Sequence, residues 1–321
     1  MTLATEATNF LEGTGPAGDS VNMGNVAMYP TMRTGVVIAT KGRPRAMAHV
    51  LRLLELQTLR PSLVIVSATA RDDVDSDLLT TLNVDYVFGS AGTCIQRNRG
   101  LDRIRSACDL VIFFDDDFAP APLWIERCAQ VFRAQESVVG AMGVLLRDGA
   151  QQDEVSWEEA ERLIESGIPV AAEPSLVSEC KDLYGCNMAY RMSAIAGASF
   201  DERLVLYGWM EDADFSRTVG RKGRLIQCGS MVGVHLGIKS GRISGKRYGY
   251  SQMVNPWYLY KKGTLSAREA WSKSLRPLLM NAAKTIRPEK HIDRLGRFGG
   301  NIIGIGHLLT GNCRPEAAAE L

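Results

Sequence analysis

Leu110-Val111-Ile112-Phe113-Phe114-Asp115-Asp116-Asp117 runs five apolar residues straight into three carboxylates. A short continuous apolar run is what a strand buried on both faces requires, because neither face is free to alternate with polar residues. Three adjacent carboxylates at its end then sit where a parallel strand leaves its sheet, the edge at which open α/β sheets bind ligands. Like charges so close need a cation or hydrogen-bond donors to offset them, and hard divalent cations such as Mg²⁺ and Mn²⁺ favour oxygen ligands. The sharp reading is a metal–diphosphate site; the bland one is an acidic turn capping a helix that starts near Pro120.

On the N-terminal side, Gly35-Val36-Val37-Ile38-Ala39-Thr40 reads as a strand, Lys41 to Arg45 as a loop, and Met47 to Leu59 as an amphipathic helix with Val50, Leu51 and Leu54 at helical spacing. Strands over Leu63 to Val66 and Val84 to Phe88 follow, with a helix expected over Asp72 to Leu82 and another over 94 to 107. On the C-terminal side the pattern predicts helices over Leu123 to Arg133, Trp157 to Ile164 and Met210 to Arg221. It predicts strands over Val138 to Leu146, Tyr184 to Tyr190, Leu225 to Cys228 and Met231 to His235. Strands alternating with helices argue for a mostly parallel sheet flanked by helices. The acidic stretch 148 to 182 reads as an insertion near the mouth of a site.

The 321 residues allow two units, and the composition, 45% apolar and 23% charged, is that of a globular chain rather than a disordered or collagen-like one. Residues 1–33 lack periodicity and read as an arm; 34–238 form the α/β part; 239–321 form a basic, aromatic-rich helical extension. The net charge of +1 hides this division: residues 1 to 238 hold 22 Lys and Arg against 31 Asp and Glu, whereas 239 to 297 hold 14 against 3. Seven cysteines, an odd number without a C-x-x-C pair, suggest neither a disulfide framework nor a zinc site, and point to a reducing compartment. No secretory signal or spanning segment is evident, so a cytoplasmic location is expected, with the inner face of the cell membrane as a place of peripheral attachment.

A second acidic cluster, Gly208-Trp209-Met210-Glu211-Asp212-Ala213-Asp214, enters a helix. The helix dipole alone favours acids there. Paired with the first cluster, it supplies what a metal-bound leaving group also needs: a separate carboxylate to take a proton from an attacking hydroxyl.

Together with Val37 to Pro44, Gln96-Arg97-Asn98-Arg99-Gly100, Gly185 to Arg191 and Phe200-Asp201-Glu202, these motifs resemble, in order and spacing, a non-processive family 2 glycosyltransferase of the GT-A fold, over residues 35 to 235. The resemblance implies the nucleotide-diphospho-sugar transferase fold and inverting transfer of one sugar from a nucleotide-sugar donor to a saccharide or lipid-linked saccharide acceptor, in polysaccharide or glycolipid assembly. It further implies a divalent metal, Mg²⁺ or Mn²⁺, on Asp117 with His235 as a further ligand. Asp115 and Asp116 would contact the donor, Thr40 and Arg43 line its base pocket, Arg97 lie near the nucleotide, and Asp212 act as base, with Trp209 and Glu211 on the acceptor side. The sequence departs from the family at Ser67, where a base-reading Asp is common, and lacks the Gln/Arg-x-x-Arg-Trp motif of processive members.

Two other classes compete. A sugar-nucleotide nucleotidyltransferase would show a glycine-rich phosphate loop after the first strand, where only Gly42 stands; a non-catalytic carbohydrate-binding or scaffold protein of the same fold would share every element. The basic segment, with Lys239, Arg242, Lys246, Arg247, Lys261 and Lys262 among Tyr248, Tyr250, Trp257, Tyr258 and Tyr260, suits either an anionic membrane surface or packing across the acidic α/β part. No nucleic-acid reading module accompanies it, so no nucleic acid is expected.

Overall fold

A computed structural model describes residues 32–75, 80–150, 153–171, 177–240, 243–289 and 292–321. Most of the expected N-terminal arm, residues 1–31, lies outside them, as does Arg242. The first half is β1 (Thr34–Ala39), α1 (Pro44–Glu55), β2 (Leu63–Ala68), β3 (Val84–Phe88), α2 (Thr93–Ile104), β4 (Leu110–Asp115), β5 (Phe118–Pro120) and α3 (Trp124–Ala134). The second is β6 (Val138–Asp148), α4 (Trp157–Ala171), β7 (Val177–Glu179), β8 (Asn187–Arg191), α5 (Glu211–Gly220), β9 (Arg224–His235), α6 (Gly245–Lys262), α7 (Ala267–Lys284) and α8 (Arg294–Leu309).

Among the described residues one nine-stranded sheet runs β3-β2-β1-β4-β8-β6-β9-β5, with β7 also on β9. It is parallel across β3, β2, β1 and β4. Beyond β4, β8 lies antiparallel to both its neighbours, and β6 pairs parallel with β9. The apolar run behaves as its composition demands: Leu110, Ile112 and Phe114 enter the core on the α1 and α3 face, with Met47, Leu51, Trp124 and Phe132. Val111 and Phe113 enter the opposite core, with Leu101, Ile104, Phe215 and Val219 of α2 and α5. Helix α2 can lie close on β1 because position 100 is glycine; a Cβ there would stand 2.4 Å from Val37.

Two expectations need correction. The stretch from Asp72 to Leu82 is not a helix: Arg71–Asp73 makes one 3₁₀ turn, residues 80–83 are non-helical, and 76–79 lie outside the described residues. The Asp73 carboxylate accepts from the backbone N–H of Thr69, Ala70 and Gly42, so it binds the turn rather than extending it. The two strands over Leu225 to His235 are one, β9, whose register against β6 jumps between Gly143↔Cys228 and Val144↔Val232. The bulge needs Gly143, where a Cβ would lie 2.1 Å from the Met231 carbonyl. The strand pattern also overlooked β5 and β7, each too short at three residues to show periodicity.

The C-terminal extension is helical. Serines 244 and 266 and Asp293 cap α6, α7 and α8. Helices α6 and α8 meet through glycines, a Cβ at Gly249 falling 2.0 Å from the Arg297 carbonyl and one at Gly300 2.0 Å from that of Lys246. The extension fastens onto the α/β part through Lys262, whose ammonium reaches Asp201 at 2.7 Å and Asp214 at 2.6 Å, and through Leu259, buried in the α2 and α5 core. No described helix is long and apolar enough to cross a membrane.

Candidate active site

The three carboxylates turn the chain between β4 and β5. Because β5 pairs with β9 in the register Phe118↔His235, the backbone itself brings His235 beside Asp117. Asp117 is then held by that strand's exit: its carbonyl accepts from Leu236 N–H at 2.9 Å and its carboxylate from Ile238 N–H at 2.9 Å. His235 Nε2 lies 3.4 Å from Asp117 Oδ1, and Nδ1 lies 2.8 Å from Asp148 Oδ1. Tyr184 donates its hydroxyl to the other Asp148 oxygen at 3.2 Å. Asp115, Asp117 and His235 each present a ligand atom within 4.8 Å of the others.

Two carboxylates and an imidazole form a donor set for a divalent cation of the Mg²⁺ or Mn²⁺ kind. A carboxylate on the far nitrogen of the imidazole is the usual way such a ligand is oriented, and Asp148 stands there. The residues therefore fit a metal. Burial works against a charged His235, but its bonds to Asp117 and Asp148 overcome it and push the imidazole up to about 10. Burial would likewise raise Asp117, yet His235 and Arg43 hold it below the usual carboxylate range.

Asp116 turns away from this group. It accepts from the Thr40 hydroxyl at 2.7 Å and from Arg43 at 2.8 Å. Burial, with Asp117 alongside, raises it against the pull of Arg43. Arg43 also donates to the carbonyls of Ile238 at 3.1 Å and Ser240 at 2.7 Å, so one side chain clasps the β1 loop, the acidic turn and the exit of β9. Gln96 ties the ends of β1 and β2 together through the carbonyls of Thr40 and Ser67. Ser67 carries no acid, but the buried Asp73 stands five residues after the end of β2 and holds Gly42 of the β1 loop at 2.6 Å.

Arg97 joins the two acidic clusters. Its buried guanidinium donates to Asp115 at 2.9 Å, to Glu211 at 2.5 Å and to the Gly185 carbonyl at 3.0 Å. Gly185 N–H in turn donates to Asp212 at 3.0 Å, and Ala213 N–H to its other oxygen at 2.8 Å. Burial raises Asp212 above the ordinary carboxylate range, against those two bonds and Arg97. Glu211 is raised more strongly, by burial and then by Asp212 and Asp115 against the opposing Arg97. Those same carboxylates overcome the desolvation of Arg97 and raise it, so the pair is anchored by a guanidinium that stays a cation in any case.

The chain reaches Asp212 through a strained turn. Leu206 and Met210 adopt φ of +62° and +72°, conformations that side chains disfavour and that concentrate at functional sites. The turn presents Tyr207 and Trp209, whose rings lie 5.8 and 5.4 Å from that of Tyr248 on α6. Trp209 Nε1, Glu211 Oε2 and Asn255 Oδ1 are buried with no partner among the described residues. All the anticipated residues thus lie around the C-terminal ends of β1 and β4 and the start of α5. Sequence reading missed Asp73, Asp148 and Tyr184. Asp148 carried a signal, as the acid ending the long apolar strand β6; Asp73 was hidden in an apparent helix.

Among solved structures, the crystal structure of S. aureus TarS 1-349 aligns with a TM-score of 0.53 at 14% identity, over 90% of this chain and 83% of that one. That of GalNAc-T7 with UDP, GalNAc and Mn²⁺ gives 0.49 at 11% identity over 74% of this chain, and a longer S. aureus TarS structure gives 0.45 at 14% over 78%. The chain spans about half of these two proteins, 52% of the first and 42% of the second. No protein-family model and no curated protein matches the sequence. The TarS 1-349 likeness identifies the architecture as the GT-A glycosyltransferase fold, a helix-flanked mixed sheet followed by C-terminal helices.

Proposed function

We propose that the protein is an inverting, metal-dependent glycosyltransferase of the family 2 type, moving one sugar from a nucleotide-sugar donor to a saccharide or lipid-linked saccharide acceptor. The observation that carries this reading is Arg97, which pairs with Asp115 of the group suited to a metal and with Glu211, the neighbour of the base candidate Asp212. In the proposed reaction the acceptor hydroxyl oxygen attacks the anomeric carbon as its proton passes to Asp212. A glycosidic C–O bond forms, the C–O bond to the diphosphate breaks, and the configuration inverts. A divalent cation on Asp115, Asp117 and His235 would supply charge neutralisation for the departing nucleoside diphosphate. Asp212 suits a base because burial raises it above the ordinary carboxylate range while two backbone N–H groups fix its aim.

Thr40, Arg43 and Asp116 form the donor side, where Arg43 holds the acidic turn to the exit of β9. Trp209 and Glu211 form the acceptor side: the unpartnered indole N–H and carboxylate oxygen are a donor and an acceptor that a polyhydroxylated ligand satisfies. Replacing Asp212→Asn should lower turnover by about 10²-fold or more while donor binding persists. The assay is release of nucleoside diphosphate from a panel of nucleotide sugars, with and without Mn²⁺. Normal turnover in that variant would remove Asp212 from the role, and an absence of any nucleotide binding would favour the non-catalytic carbohydrate-binding alternative.

A further inference from the structure

Helix α7 buries one side against its neighbours through Ala270, Ser274 and Asn281, and turns large apolar side chains the other way. Trp271, Leu275 and Leu279 recur every four residues, which places them on one strip of the helix surface. Trp271 is 59% exposed and Leu279 60%, and Ile286, just past the helix end, is 85% exposed. Trp271 leans edge-on against Trp257, which meets Tyr260 in the same way, so the strip begins in a surface cluster of three aromatics. The outer side of α8 continues the pattern with Leu295, Ile302 and Leu309, all exposed. From Phe298 to Cys313 the chain carries no acidic or basic residue apart from His307.

The charges beside this surface are not balanced. Both acids between Gly245 and Glu289 are engaged: Glu269 with Arg217 and Ser266, and Glu289 with Lys284 and Arg294. Lys261, Arg268, Lys273, Arg276 and Arg287 are exposed and take no ion pair among the described residues. The result is an apolar strip with an uncompensated cationic flank.

We infer that the α7 face is a docking surface for an anionic phospholipid bilayer, on which the protein lies without spanning it. A bilayer surface offers phosphate headgroups to Arg268, which the helical spacing sets in line with the strip, and to Arg276 on its flank, and an apolar layer to Trp271, Leu275 and Leu279; interfacial helices combine these two features, with aromatics at the boundary. A second copy of the chain is a poorer occupant, because a two-fold contact would bring the same unpaired cations face to face. A nucleic acid would satisfy the cations and leave the apolar strip in water.

The test is co-sedimentation of the intact chain with vesicles of phosphatidylcholine alone and of phosphatidylcholine mixed with phosphatidylglycerol. Binding should require the anionic lipid and weaken as salt rises. Each cation near such a surface is worth roughly fivefold in partition, so Arg268→Gln with Arg276→Gln should lower binding roughly 25-fold. Trp271→Ser with Leu279→Ser should lower it by about tenfold or more through the apolar contact alone. Equal affinity for neutral vesicles, indifference to both pairs of substitutions, or a stable dimer in solution that the Leu279 substitution dissociates would each overturn the inference. The measurement needs neither donor nor acceptor, so its failure leaves the transferase reading standing.

Discussion

Replacing Arg97→Met should destabilise the fold in a manner that depends on pH. The guanidinium is buried and makes three bonds, to Glu211, Asp115 and the Gly185 carbonyl. Methionine fills much of the same volume but supplies no charge. Glu211 is then left buried with neither oxygen partnered, since its Oε2 already finds none among the described residues. Removing one partner of a buried pair costs about 3–5 kcal/mol, roughly a fifth or more of the stability of a typical domain. Glu211 can escape part of that cost by keeping a proton. Burial raises it already, and Arg97 is the main influence that opposes the rise, so the variant's Glu211 titrates higher still. A carboxyl raised in the folded state contributes stability that is complete below its unfolded value of about 4.3, and that is lost as pH rises toward the folded one. The slope between the two is at most about 1.4 kcal/mol per pH unit for one proton. Glu211 is already raised in the intact protein, so the deficit of the variant should be smaller at pH 5, where both proteins hold the proton, and larger at pH 8. Urea unfolding curves across that range measure it, and the double substitution Arg97→Met with Glu211→Met should recover most of the loss, because the stranded charge is gone. A deficit under about 1 kcal/mol at pH 8, or a double variant no better than the single one, would refute the claim that this ion network holds the two clusters together.

Asp148→Asn should lower affinity for Mn²⁺ about 10- to 100-fold, because Asp148 orients His235 through Nδ1 without belonging to the ligand group itself; titration of free Mn²⁺ by electron paramagnetic resonance reads this directly. Gly300→Ala should cost roughly 1–3 kcal/mol by thermal or urea unfolding, since the new Cβ would press on the Lys246 carbonyl where α6 and α8 touch.

Local chemistry determined a good deal of this protein unaided. A run of five apolar residues can satisfy itself only between two packed layers, so Leu110 to Phe114 announced a doubly covered sheet, and the carboxylates that follow had to stand at its edge. Helix α1 was legible for the same reason, its apolar spacing being a property of the helix alone. So was the second acidic cluster at the start of α5, which the helix dipole favours. Tertiary structure decided what depends on pairing across distance. His235 meets Asp117 because β5, too short to be read as a strand, sets its register on β9. Asp148 reaches His235 across the bulged pairing of β6 with β9, and Arg97 meets Glu211 only because α2 and α5 cover the same face of the sheet. The charge of the C-terminal segment was plain in the sequence. Which cations are consumed, as Lys262 is by Asp201 and Asp214, and which stay open to solvent beside an apolar strip, depended on how three helices pack. Sequence periodicity records which side of an element is apolar; only the packed chain fixes what each side faces, because contacts between distant residues carry no local signal.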